Sequence, residues 1–568
     1  MFLFTRYRPL FLFALGFFAL LLLSIRSDAA EQTLRQHIEQ WVEQLGDRSF
    51  LVRERAEKQL AEVGAEAFPA LQNAKQSDDV EIVKRAERLL GLIEQSFIGK
   101  ENKSVAFWIR QYAEESGPAM KARIIWILAD PFSDASNGEG LQTLCRIVRF
   151  DENPALRVEA AKCLIALPPN TPSLQTKWYQ HIASTFNNPA NDEFGALLAD
   201  YAELRLQSKE PSKESSTKTA GDTNNSKKFA NRVENLAKQF AAFQSRPDYS
   251  IVQQGNQIDI LMYYALAILQ DAAGLTRERD KTIAAALAVQ PSEPQEDTGF
   301  ELDDHLPMYA HHYAAKLLKQ RLKLRWALPH SEKVLASGHI LLQVRAADEI
   351  ADTNVLLTDY LSAVRYYEKI IELAGTKEFT KRYNNALTVA ATAKVKRFSC
   401  LAEQAATEGD WQKVLDLVKQ GQDIEPTDID LLILAHRVCK ELKDVDAAFR
   451  TQTKMRIYQA LPQIEQTIHK SVVNMEDRQK NAILACNQAA WLLANTDGEY
   501  ASALALIQTA LQASPEETSY IDTLAHVYCL NKQYDKAIET ETNVVRLAPE
   551  VTVFQKALER FKTAKREQ

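Results

Sequence analysis

Glycine and proline are scarce, with 18 and 19 among 568 residues. That is about 3% each, against ordinary usage of about 7% and 5%. So few turn residues exclude a chain of many hairpins, or a large sheet wound by Gly-rich loops. Cysteine is rarer still, with six residues and no CxxC pair. Zinc-type spacing is absent and a disulfide framework is not expected in so long a chain. Cys145, Cys163, Cys400, Cys439, Cys486 and Cys529 each sit inside a helical apolar pattern and read as small core residues. Charge of one sign is missing too. The 75 acidic and 68 basic residues leave a net −7, which gives no reason to expect nucleic-acid binding. The P-loop, GxGxxG, HExxH and GxSxG strings do not occur. The one S-x-x-K match, Ser215 and Lys218, lies in a polar stretch that cannot hold a nucleophile in a rigid pocket. No catalytic residue, metal or cofactor is therefore expected. What remains, 46% apolar and 25% charged residues, is ordinary globular composition and excludes global disorder. Long helices are the economical solution.

Residues 1–30 read as an export segment. Arg6 and Arg8 precede an uncharged apolar run from Leu10 to Leu23, shorter than the span of about 20 residues that crosses a bilayer. Ser27 and Ala29 offer a cleavage point after Ala29. Arg26 and the apolar Met1–Phe4 favour a second reading, an uncleaved anchor over Pro9–Ile25. In both cases the arginines stay inside and the bulk of the chain is exported.

Residues 31–206 show helical periodicity broken at short intervals. Leu34, Ile38, Trp41, Val42 and Leu45 make one apolar stripe. Asp47, Val52, Arg53, Ala56, Leu60, Gly64, Pro69 and Leu71 are followed by Val83 and Ala86. The pattern returns at Asp151–Pro154, Arg157, Ala160, Ala161 and Leu164, and more weakly from Gly117–Pro118 to Leu128. Residues 207–228 carry no large apolar side chain until Phe229 and read as a polar linker. Residues 229–334 are degenerate helical repeats, with Ala267 and Pro291 at +24. From 335 the offsets become regular. Ala525 leads to Tyr534, Ala537 and Pro549 at +9, +12 and +24. Ala402 leads to Trp411, Val414 and Pro426 at the same offsets, and Ala351 to Tyr360 and Ala363. Ala490 leads to Tyr500, Ala503 and Pro515 with one residue inserted, and His436 to Ala448 at +12.

The first of these patterns resembles HEAT repeats, and the second resembles tetratricopeptide (TPR) repeats with their period of about 34 residues. The combination is similar to exported HEAT-plus-TPR proteins of planctomycete-type bacteria. The resemblance implies an all-α solenoid of stacked helix pairs, a HEAT-like array followed by a TPR-like array over 335–568 with a C-terminal capping helix. It also implies a non-enzymatic scaffold that binds a protein or peptide along its concave helices. On that surface the spacing places Ser399 and Glu403, then Asn487, Trp491 and Asn495, then Asp522, His526 and Cys529. The Lys/Asn pattern of carboxylate-clamp modules is absent. Trp491 has two readings, an interface anchor or a packing residue between repeats. A second cluster, Asp303, Asp304, His305, Met308, His311 and His312, could place His305, Met308 and His312 on one helix face as soft-metal ligands. The plainer reading is a helix entry with histidines on a wet face. The tail bearing Arg560, Lys562, Lys565 and Arg566 reads as a solenoid cap with a polar outer side, or as a basic docking helix.

Overall fold

The computed structural model describes residues 36–63, 67–98, 103–115, 117–130, 140–186, 194–208, 220–249, 256–290, 308–470 and 475–567. Residues 1–30, expected to be an export segment, lie outside them. Every regular element among the described residues is a helix, and the architecture is an all-α solenoid of neighbouring helix pairs. In order the helices are α1 (36–44), α2 (Phe50–Val63), α3 (Phe68–Ala74), α4 (Val80–Ile98), α5 (Lys103–Glu114), α6 (Pro118–Ala129), α7 (Leu141–Phe150), α8 (Pro154–Ala166) and α9 (Pro172–Thr185). They continue as α10 (Gly195–Gln207), α11 (Ala220–Gln244), α12 (Asn256–Ala272), α13 (Thr276–Ala288), α14 (Tyr309–Gln320), α15 (Leu324–Leu335), α16 (Ile340–Leu356), α17 (Tyr360–Ala374) and α18 (Lys377–Arg382). The last are α19 (Ala386–Thr407), α20 (Trp411–Gln422), α21 (Ile429–Glu441), α22 (Ala447–Lys470), α23 (Met475–Ala494), α24 (Tyr500–Ala513), α25 (Thr518–Leu530), α26 (Tyr534–Leu547) and α27 (Thr552–Arg566). No described helix is long and apolar enough to cross a membrane. Residues 220–228 of the polar stretch are helical, as the start of α11.

The chain forms two compact units, Met1–Leu164 with Thr185–Ala196, and Ile165–Ser184 with Leu197–Gln568. In the first, Ile38, Leu45, Ala56, Leu60, Leu71, Ala86 and Leu89 form one buried cluster. Small alanines let α2 and α4 approach. Arg85 on α4 reaches back to Glu54 at 2.9 Å and also to Glu57, so a partly buried guanidinium is matched by carboxylates on the facing helix. Helices α6, α8 and α9 each begin on a proline, where the missing N–H costs nothing.

The second unit repeats one turn. Gly274, Leu322, Thr358, Gly409 and Lys532 all adopt left-handed backbone, with φ of 71°, 56°, 57°, 76° and 57°. Each stands two residues before a helix begins, at Thr276, Leu324, Tyr360, Trp411 and Tyr534. In each case the next residue's N–H closes on the carbonyl five positions back, as Asp359 does on Asn354 at 2.8 Å and Gln533 on Tyr528 at 2.9 Å. This is the Schellman ending, which satisfies carbonyls orphaned at a helix C-terminus. The following residue then opens the next helix. Asp359 and Asp410 do so by accepting from Ser362 and Lys413 N–H groups at 3.1 and 3.0 Å. The aromatics at Tyr360, Trp411, Tyr500 and Tyr534 are the first residues of α17, α20, α24 and α26. Pro426, Pro515 and Pro549 follow the ends of α20, α24 and α26.

The pairs from α16 onward do not form an open-ended row. The end of the row comes back on its beginning. Val544, Ala548, Val551 and Phe554 share a buried cluster with Leu324, backed by Leu322, Leu356 and Leu357. The Arg325 N–H donates to Glu550 Oε2 at 3.2 Å, and α27 touches α16. Lys556 of α27 lies over the Tyr360 ring of α17 at 5.8 Å. Within this unit, α16 to α27 form a closed loop.

Candidate functional site: the inner face of the closed loop

Alternate helices line the inside of this loop, and polar contacts join them one to the next. Lys396 of α19 binds Asp348 and Asp352 of α16 at 3.2 and 3.1 Å, and Tyr367 Oη donates to Asp352 at 2.8 Å. Arg437 of α21 donates to both oxygens of Glu403 on α19 at 2.8 and 3.0 Å and stacks over Trp411 at 5.4 Å. Asp497, just after α23, takes Lys440 of α21 at 3.1 Å. His526 of α25 meets Asn495, just after α23, at 2.8 Å, and Arg560 of α27 at 3.0 Å from Nδ1 and 3.3 Å from Nε2. The pairs Glu403–Arg437 and His526–Arg560 are both separated by 34 residues, so equivalent positions in successive units meet across these two junctions.

The sequence-derived residues fall as follows. Trp491, Asn495, Asp522 and His526 come together. The Trp491 and His526 rings are 4.5 Å apart, and Phe561 closes edge-on against His526 at 5.0 Å. Trp491 also packs with Leu432, Ile433 and Leu492. Asp522 and His526 are buried, at 6% and 4% exposure. Asn487 stands one turn earlier on α23, and its Oδ1 has no hydrogen-bond partner. Ser399 is buried on α19, one turn before Glu403. Cys529 is half-buried, and burial pushes its thiol up. Arg437, Lys396 and Asp352 escaped the sequence reading, and Arg560 was read there as part of the capping tail and not as an inner-face residue. The signal that could have found Arg437 and Arg560 was the 34-residue offset from Glu403 and from His526.

Charge on this face is set by crowding. Arg560 only donates, so the His526 ring must keep a lone pair for it. Nδ1–H donating to Asn495 and Nε2 accepting from Arg560 at 3.3 Å satisfies all three groups. Burial and the Arg560 charge together hold His526 well below the ordinary histidine range. Behind it, Asp522 and Glu541 of α26 lie against each other. Burial raises both, Asp522 to about 7, and the charge and hydrogen bond of Asp522 raise Glu541 further, to about 9. Like charges so close cannot both ionise, and the pair holds a proton at neutral pH. Asp430 at the start of α21 is raised to about 7 by desolvation and by Asp428, Glu403 and Asp352 around it. Asp430 and Arg560 nonetheless keep open surface. A side chain that touches solvent yet is surrounded by protein stands in a concavity.

The histidines of α14 are not on a wet face. Met308 caps the helix at φ 90°, His311 is fully buried and His312 nearly so. Tyr264 Oη and His330 Nε2 are 2.6 Å apart, His330 Nδ1 and His311 Nδ1 2.6 Å, and His311 Nε2 and the Val289 carbonyl 3.1 Å. The carbonyl can only accept, so His311 donates to it, His330 donates to His311 and Tyr264 donates to His330. Both nitrogens of His311 are thereby used. His305 lies outside the described residues. Among the described residues no three His, Cys, Asp or Glu side chains stand at metal-holding spacing.

No protein-family model matches the chain, and no curated protein does. Among solved structures, one described as a "circular tandem repeat protein with novel repeat topology and enhanced subunit contact surfaces" is 13% identical. The match covers 90% of this chain and 98% of that one, with a TM-score of 0.12. So low a superposition carries no argument. The class, a helical-repeat solenoid, rests on the helices, the recurring turn and the 34-residue junctions.

Proposed function

We propose that the protein is a non-enzymatic interaction scaffold, exported on its N-terminal segment, that receives a protein segment on the inner face of α16–α27. On this reading residues 31–206 are HEAT-like and the later pairs TPR-like. The observation that carries it is the inner face itself, where Lys396, Glu403, Asp430, Arg437 and Arg560 stand together in a concavity that keeps open surface. Polar groups facing a concavity supply specificity to a partner more than they stabilise the fold. The 34-residue register supports the TPR-like reading. An enzyme reading finds less support. Asp522, Glu541 and His526 are closed to solvent, and the Cys529 thiol is pushed up, away from the reactive thiolate.

The test is capture of partners by the full chain, repeated with Lys396→Glu on the inner face and Lys413→Glu on the outer. The scaffold reading expects one retained polypeptide to be lost with Lys396→Glu and kept with Lys413→Glu. Equal retention by both variants would overturn it.

A further inference from the structure

Arg560 differs from the other inner cations. Lys396, Arg437, Lys440 and Lys319 each pair with a carboxylate, and Lys556 rests on the Tyr360 ring. Arg560 has no carboxylate within ion-pair distance among the described residues. Its one polar partner is the neutral His526 ring, through Nη2. His526 is itself fixed by Asn495, Trp491 and Phe561, so the guanidinium is aimed rather than trailing. Its side chain keeps open surface, and the rest of its N–H fork is available on that side.

We propose that Arg560 is a receptor for a carboxylate carried by a protein segment on the inner face, with Arg437 adding positive potential. This rests on the reading of that face as the binding surface. A guanidinium presents parallel N–H donors that match a planar carboxylate in bidentate fashion. Surrounding protein makes hydration of the cation incomplete, and Arg437 repels it, which together lower its proton affinity. A bound anion relieves both costs. The Asp522–Glu541 pair offsets these only in part, because it makes no ion pair with Arg560 and retains a proton. Glu403 is already committed to Arg437. With Glu403 and Asp430 on the neighbouring helices, the concavity tolerates one added negative charge better than two. The ligand class is therefore a carboxylate and not a phosphate dianion.

The probes are Ac-Ala-Ala-Ala-OH, Ac-Ala-Ala-Glu-NH2, Ac-Ala-Ala-Ala-NH2 and inorganic phosphate, titrated into the full chain by ligand-observed NMR. The terminal and side-chain acids separate the two sources of a carboxylate. At least one of them binds saturably, the amide does not, and phosphate competes more weakly. Arg560→Gln weakens the acid at least about tenfold, and Arg560→Lys recovers part of the loss. Glu403→Gln, which leaves Arg560 in place, strengthens it several-fold. Binding of the amide as tight as the acid, stronger binding of phosphate, no saturable binding of either acid, or indifference to Arg560→Gln in a chain that still melts cooperatively would each overturn the assignment. If Arg560→Gln fails to fold, an unchanged or weaker acid affinity in Glu403→Gln overturns it. A partner lost with Lys396→Glu but indifferent to Arg560→Gln would sink this inference and leave the scaffold reading standing.

Discussion

Buried titratable side chains decide the pH response of this protein one residue at a time. His330 is held down to about 3 by burial and by His311 beside it. A histidine with a depressed folded value contributes stability above its unfolded value, near 6.5. That contribution is lost as pH falls from there toward 3. The unaltered chain is therefore expected to lose stability relative to His330→Gln as pH falls from 6.5 to 4, read as the difference between their thermal midpoints. Tyr264→Phe removes the donor to His330 Nε2 and leaves a buried acceptor unmatched, a cost of about 1–3 kcal/mol at pH 7, readable by denaturant titration. Glu541 has the opposite sign. Its folded value lies far above the unfolded one, so the proton it holds favours the folded state at low pH. That stability is lost as pH rises from about 4.5 toward 9. Glu541→Gln keeps the shape and cannot ionise. It is expected to raise the thermal midpoint at pH 8 and to flatten the decline from pH 6 to 9. A midpoint as steep in pH as that of the unaltered chain would contradict the shared-proton account.

Between neighbouring helices, one turn recurs at five connections, and it carries strain where it lacks glycine. Thr358 is β-branched yet sits at φ 57°, the backbone that L residues adopt at a cost of roughly 1–2 kcal/mol. Gly274 and Gly409 show the relaxed version at equivalent positions. Thr358→Gly is thus expected to stabilise the chain by about 1 kcal/mol, seen as a higher midpoint in thermal unfolding. The helices, their aromatic first residues and the prolines that follow them were legible in the sequence, because each follows from a local rule with a fixed offset. The inner face was legible only in part. Trp491, Asn495, Asp522 and His526 share a junction because of helix period and repeat spacing, both of which sequence carries. The burial of Asp522 and His526 was not legible, since it depends on α27 covering α25 with Phe561. Arg560 read as part of a polar cap because nothing local marks which side of a terminal helix turns inward. His311 and His312 read as wet for a similar reason. Their partners Val289, His330 and Glu349 come from three other segments.

At the scale of the second unit, the decisive feature is closure of α16–α27. Consecutive helices are joined by short turns, whereas the seam joins residues 322–325 and 356–357 to 544–554 without chain continuity. Leu324 is fully buried there. Leu324→Ala is expected to cost about 2–5 kcal/mol. Hydrogen exchange should then quicken on both sides of the seam together, at 354–360 and at 544–556. A loop closed in this way offers a partner an enclosed face and not the open groove that an unclosed array presents. The measurement that tests this most directly is site-specific photo-crosslinking. A photoreactive residue is placed at inner positions 403 and 430, and at outer positions 416 and 420, in the full chain. A protein segment received on the inner face predicts one polypeptide crosslinked from 403 and 430 and absent from 416 and 420. The same polypeptide crosslinked from 416 or 420 and never from within would contradict it.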